Sequence, residues 1–190
     1  MGCGKSSVGR KLSQLLCCRF IDLDEAVEQA AGKIIPEIFA SECEAAFRRL
    51  ETEVLTNILS AETERQCAPC EVGGINEIPM TISAVLALGG GTVMTEECAE
   101  LVRKNTCCIY LRASVNTLLE RLSSNTSNRP LLTRDPHAAL QGAQRRGNPS
   151  LHSRIDELMS QRSSTYENTA NIIIDTDGKS IEQICSEILC

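Results

Sequence analysis

Two kinds of apolar pattern alternate along the chain, one with the period of a helix and one gathered into short continuous runs. Over 7–16, Val8, Leu12, Leu15 and Leu16 share one helical face. Residues 17–21 form an apolar run that ends at Asp22-Leu23-Asp24, which reads as a buried strand. A short helix over 25–31 stops at Gly32, and another follows over 34–40 with Pro36 tolerated in its first turn. A long amphipathic helix over 42–61 places Ala45, Ala46, Leu50, Val54, Leu55, Ile58 and Leu59 on its apolar face. Apolar runs at 81–88, 107–111 and 171–175 predict three further strands. Helices are expected from Thr95 to about 104, from the capping Ser114 to 122 or 123, over 151–167 and over 180–189. Strands alternating with helices predict one α/β domain over 1–190, with a parallel sheet covered by helices on both faces.

Two segments interrupt this alternation. Residues 66–80 carry two prolines, two glycines and the Cys67-x-x-Cys70 pair, and read as a loop. Residues 123–149 are polar and rich in Gly, Pro and Asn, and read as a mobile lid.

Composition narrows the class of function. The chain is 42% hydrophobic and 23% charged, which excludes disorder as its general state. A net charge of −6 argues against nucleic acid or an anionic membrane as partner. Aromatics at 3% leave no stacking surface for single-stranded nucleic acid. No apolar run is long enough to span a bilayer and no secretory pattern opens the chain, so a soluble, cytoplasmic monomer is expected. Cys17-Cys18 and Cys107-Cys108 lie in apolar runs and are expected as small buried hydrophobes. Cys67-x-x-Cys70 has no second Cys/His pair nearby at zinc spacing and reads as two free thiols.

The candidate chemistry begins at the amino end. Gly2-Cys3-Gly4-Lys5-Ser6-Ser7 matches the back half of a phosphate-binding loop, G-x-x-x-x-G-K-[ST], just ahead of the first helix. Backbone N–H groups and the helix N-terminus would hold phosphate oxygens, Lys5 would reach the β- and γ-phosphates, and the Ser6 hydroxyl would meet Mg²⁺. A chance Gly-Lys-Ser is the competing reading. The loop's first glycine, and the strand that feeds it, would fall before residue 1.

Asp22 and Asp24 stand at the carboxyl end of a strand, where ligands bind in such sheets. One would hold Mg²⁺ and the other a substrate hydroxyl, or Asp22 would simply cap a helix. Arg48 and Glu51 lie three apart on one helical face, either as a surface ion pair or as a carboxylate-binding Arg held by its Glu. Gly89-Gly90-Gly91 ends a strand with no side chains, so that backbone N–H groups approach a ligand. Arg129 opens the lid, from which it would swing over phosphates or remain a solvated charge. Arg162 and Tyr166 are four apart on a helix, either packed together or offering a second carboxylate-binding Arg.

In this order and at this spacing the motifs resemble the shikimate kinase family. They are Gly4-Lys5-Ser6, Phe20-Ile21-Asp22-Leu23-Asp24, Phe47-Arg48-Arg49-Leu50-Glu51, Gly89-Gly90-Gly91, Arg129-Pro130-Leu131-Leu132, and Arg162 with Tyr166. The resemblance covers nearly the whole chain. It implies a P-loop NTPase-type three-layer α/β/α fold with five parallel strands, the first ahead of residue 1 here, and a mobile lid. It also implies transfer of the γ-phosphoryl of ATP to the 3-hydroxyl of shikimate with Mg²⁺.

By matching positions, the resemblance makes Lys5, Asp24 and Arg129 catalytic. Gly2, Cys3, Gly4, Lys5, Ser6, Ser7, Arg121 and Arg129 would bind ATP, with Arg121 near the adenine. Asp24, Arg48, Gly89, Gly90, Gly91 and Arg162 would bind shikimate within and beyond a segment of about 24–61. Ser6 and Asp22 would hold the metal. A kinase for another small hydroxy acid such as gluconate, or a truncated non-catalytic homologue, is the alternative. The pairing of Arg48 with Arg162 favours a ring acceptor that bears a carboxylate.

Overall fold

The computed structural model describes residues 2–41, 43–63, 82–123 and 151–190. The elements are α1 (Lys5–Leu15), β1 (Arg19–Asp22), α2 (Leu23–Ala31), α3 (Ile35–Ser41), α4 (Glu44–Thr63) and β2 (Ala84–Ala87). A single 3₁₀ turn (Thr92–Met94) precedes α5 (Glu96–Asn105), β3 (Ile109–Arg112), α6 (Val115–Ser123), α7 (Leu151–Thr169), β4 (Ile172–Asp175) and α8 (Ile181–Leu189). The 66–80 loop with Cys67 and Cys70, and the lid with Arg129, lie outside the described residues.

All strand pairings among the described residues are parallel. β1 pairs with β2 in the register Arg19↔Ala84 to Asp22↔Ala87. β3 pairs with β4 from Ile109↔Ile172 to Arg112↔Asp175. The four described strands form two parallel pairs, β1–β2 and β3–β4.

Apolar burial holds each pair to its helices. Leu23, Val27, Ile38, Phe47, Leu55, Cys98 and Val102 join α2–α5 in one core, against which Leu86 of β2 packs. Val8, Leu12 and Leu16 of α1 meet Leu111, Ile174, Ile184 and Ile188 in a second, which ties α1 and α8 to the β3–β4 pair. Gly9 is what lets α1 lie on β1, since a Cβ there would stand 2.7 Å from the Phe20 ring. Burying each such Leu or Ile contributes about 1.5–3 kcal/mol, so these cores fix where the strand ends point.

Local chemistry sets the boundaries. Cys17 takes φ 50°, which turns the chain out of α1, and β1 therefore begins only at Arg19. Cys17 and Cys107 are exposed at these turns, contrary to the expectation of burial; Cys98 and Cys185 are the buried thiols among the described residues. Gly32 ends α2 at φ 64°, as its position suggests. Ser180 opens α8 with a capping box to Gln183.

Candidate active site

Gly4 stands at the head of α1 with φ 86° and makes no side-chain cap, and no acidic residue occupies the first turn. A residue with a Cβ is strained at that φ, so glycine suits the place. Gly4 thus leaves the first N–H groups of α1 without a capping side chain, and with the positive end of the helix they fit an anion such as a phosphate. Ser6 donates its hydroxyl to Asp22 Oδ2 at 2.8 Å. A hydroxyl and a carboxylate held together beside a phosphate site form a donor set suited to Mg²⁺.

Asp22 and Asp24 are not presented alike from a strand, as an extended chain would place them. Asp22 ends β1 and caps α2, accepting the Asp24 N–H at Oδ1 (3.1 Å), while Asp24 lies in the first turn of α2. Helical winding starts two residues earlier than the sequence suggests because that cap is made. Asp24 is open to solvent as a residue, yet its carboxyl faces the cleft floor: a Cβ on Gly89 would stand 2.6 Å from Asp24 Oδ1. Desolvation there, reinforced by the charge of Asp22 and opposed by Lys5, raises the Asp24 pKa above its ordinary 3.8.

The glycine run lies beside Asp24 and is enclosed by α4 and α7. Arg48 donates from Nη1 to Glu51 Oε2 at 2.6 Å, and Nη2 reaches Glu44 at 3.5 Å. Glu51 is only 2% exposed, so the pair is more than a surface contact. A Cβ on Gly91 would stand 2.5 Å from Arg48 Nη2, which shows how closely the guanidinium lies over the turn. From the other side, Arg162 donates to the Gly90 carbonyl at 3.3 Å, and so does the Tyr166 hydroxyl. Both arginines therefore meet one three-residue turn.

Thr92 was not apparent as a site residue from the sequence. Its hydroxyl donates to Glu51 Oε1 at 2.6 Å, and its partner lies 41 residues earlier in the chain. No local spacing announces such a contact. Arg121 donates to the Thr176 carbonyl at 3.3 Å, beyond the carboxyl end of β4. The structure thus gathers Lys5, Ser6, Asp22, Asp24, Arg48, the glycines and Arg162 along the carboxyl ends of β1 and β2, with Arg121 beside β4.

A profile described as shikimate kinase matches residues 1–67 and 57–190. The chain belongs to the shikimate kinase family. Shikimate kinase from Marinomonas sp. (strain MWYL1) is 35% identical over 190 residues, covering 100% of this chain and 86% of that protein. Shikimate kinase from Rhodococcus jostii (strain RHA1) is 34% identical over 188 residues, or 99% of this chain and 90% of the relative. Among solved structures, shikimate kinase from Acinetobacter baumannii in complex with shikimate superposes with a TM-score of 0.76 at 28% identity, covering 100% of this chain and 86% of the other. The Aquifex aeolicus enzyme gives 0.69 at 28% identity, covering 100% and 89%. Family membership accounts for the α/β, P-loop-type fold, a parallel design wrapped by helices. Among the described residues no helix is long and apolar enough to cross a membrane.

Proposed function

We propose that this chain transfers the γ-phosphoryl group of ATP to the 3-hydroxyl of shikimate, and that the residues gathered above do the work. The observation that carries the reading is the approach of Arg48 and Arg162 to one glycine turn, with Asp24 beside it and the Lys5–Ser6 helix start facing Asp24. Two guanidinium groups hold a carboxylate by paired, charge-assisted hydrogen bonds. They also explain how a chain of net charge −6 takes an acidic substrate, since the positive charge is local.

In this reading the acceptor-holding segment runs from about 24 to 61, and Arg129 serves the phosphates. Lys5 and the loop N–H groups of Gly2 to Ser7 hold the phosphates of ATP, with Arg121 on the adenine side. Asp24 accepts the proton of the 3-hydroxyl as that oxygen bonds to the γ-phosphorus and the bridging oxygen leaves with ADP. Ser6 and Asp22 would hold Mg²⁺, which would supply charge neutralisation at the phosphate oxygens. Lys5 and Arg129 stabilise the same developing charge, and positioning supplies the rest of the rate.

The test is ATP consumption by the chain as given, with shikimate and with gluconate at equal concentration. Shikimate-dependent turnover with gluconate inert supports the reading; gluconate-dependent turnover, or none with either, overturns it.

Gly91→Ala supplies a narrower prediction. The new methyl group meets the flexible end of Arg48 rather than fixed backbone, so the guanidinium shifts aside and the fold survives. A rise of about tenfold in the KM for shikimate is expected, a loss of about 1.4 kcal/mol. The melting temperature and the KM for ATP should hardly move. Unchanged shikimate affinity would show that Arg48 does not touch the acid.

A further inference from the structure

We infer that Thr92 is a positioning residue for the acid-binding arginine, a role that rests on the proposed function and extends it. Glu51 is the intermediary. Its carboxylate is 2% exposed, and its two oxygens are used differently: Oε2 accepts from Arg48 Nη1 and Oε1 accepts from the Thr92 hydroxyl, each at 2.6 Å. Thr92 itself is 0% exposed, and its hydroxyl is committed to Oε1.

The backbone of Thr92 belongs to the glycine turn, because its N–H donates to the Gly89 carbonyl at 3.3 Å. One residue therefore ties the turn to α4 through Glu51. A buried carboxylate that loses one of two hydrogen bonds rotates to recover it. Rotation of Glu51 carries Arg48 with it, because their contact is short and largely enclosed. Thr92 touches neither the acid nor the phosphates in this account. It fixes the direction in which Arg48 presents its remaining donors.

The experiment compares Thr92→Val, which exchanges the hydroxyl for a methyl group at nearly constant shape, with Thr92→Ser, which keeps the hydroxyl. The unaltered chain is measured first. Absence of any shikimate turnover or binding in it overturns the proposed function, and this inference with it. Given activity, Thr92→Val should raise the KM for shikimate about tenfold with kcat and the KM for ATP changed less than twofold. Thr92→Ser should return the shikimate KM to within about twofold of the original. A merely structural role predicts a different result, with both KM values raised together or the Ser variant as impaired as the Val variant, and either overturns the inference. So does a Thr92→Val enzyme with unchanged shikimate KM. Should the Val variant not fold, Thr92→Ala reads the same split, with ATP binding as the control for folding.

Discussion

Arg48→Ala is expected to reduce shikimate affinity at least a hundredfold while leaving ATP affinity within about twofold. Truncating one partner of a desolvated, hydrogen-bonded charge pair costs about 2–5 kcal/mol, and a hundredfold is about 2.7 kcal/mol. The nucleotide end is spared because Arg48 lies over Gly91 and pairs with Glu51 and Glu44 of its own helix. Stability should fall as well, since Glu51 would keep a buried charge with Thr92 as its remaining hydrogen-bond partner among the described residues. Glu51→Gln in the Arg48→Ala background should recover part of that stability and none of the affinity. Arg48→Lys keeps the charge and loses the two-pronged geometry, so it should bind the acid weakly rather than normally. Calorimetric titration with each ligand, beside thermal unfolding, reads all of these. Equal loss of ATP and shikimate binding in a folded variant would remove Arg48 from the acid site.

Asp24→Asn is expected to lower kcat by about two to four orders of magnitude with modest effect on either KM, the usual yield of a lost proton acceptor. The pH profile gives the sharper result. Burial and the neighbouring Asp22 raise the Asp24 pKa, so turnover should fall as pH drops through a value above the ordinary 3.8, and that limb should vanish in Asp24→Asn. The same shift has a consequence for stability. A carboxyl group whose folded pKa is raised favours the fold most below its unfolded pKa, and that contribution is lost as pH rises through the folded value. At neutral pH, therefore, Asp24→Asn should melt no lower than the parent and slightly higher, the effect being small because the residue is open to solvent. A variant that melts lower while retaining activity would reverse both assignments.

Much of this was legible in the sequence because it depends on local rules. The helical period of α1 and α4, the stop at Gly32 and the cap at Ser114 are each read within a few residues. Asp22 shows where such reading ends. Its dual contact with the Asp24 N–H and the Ser6 hydroxyl joins a cap to the loop 16 residues away, and only the folded chain brings them together. Thr92 escaped notice for the same reason. Cys17 and Cys107 are exposed because apolar neighbours in sequence do not make a buried position in a turn. The family resemblance assigns Arg162 to the site, and its contact with the Gly90 carbonyl spans 72 residues, beyond any local rule.

The most direct test of a carboxylate-holding kinase cleft is phosphorus NMR of the product formed from ATP and shikimate by the unaltered chain, with Arg48→Ala run alongside. The account predicts one new phosphate ester, on the 3-oxygen of shikimate, from the parent and almost none from the variant. An ester on a different oxygen, or equal product from both proteins, would contradict it.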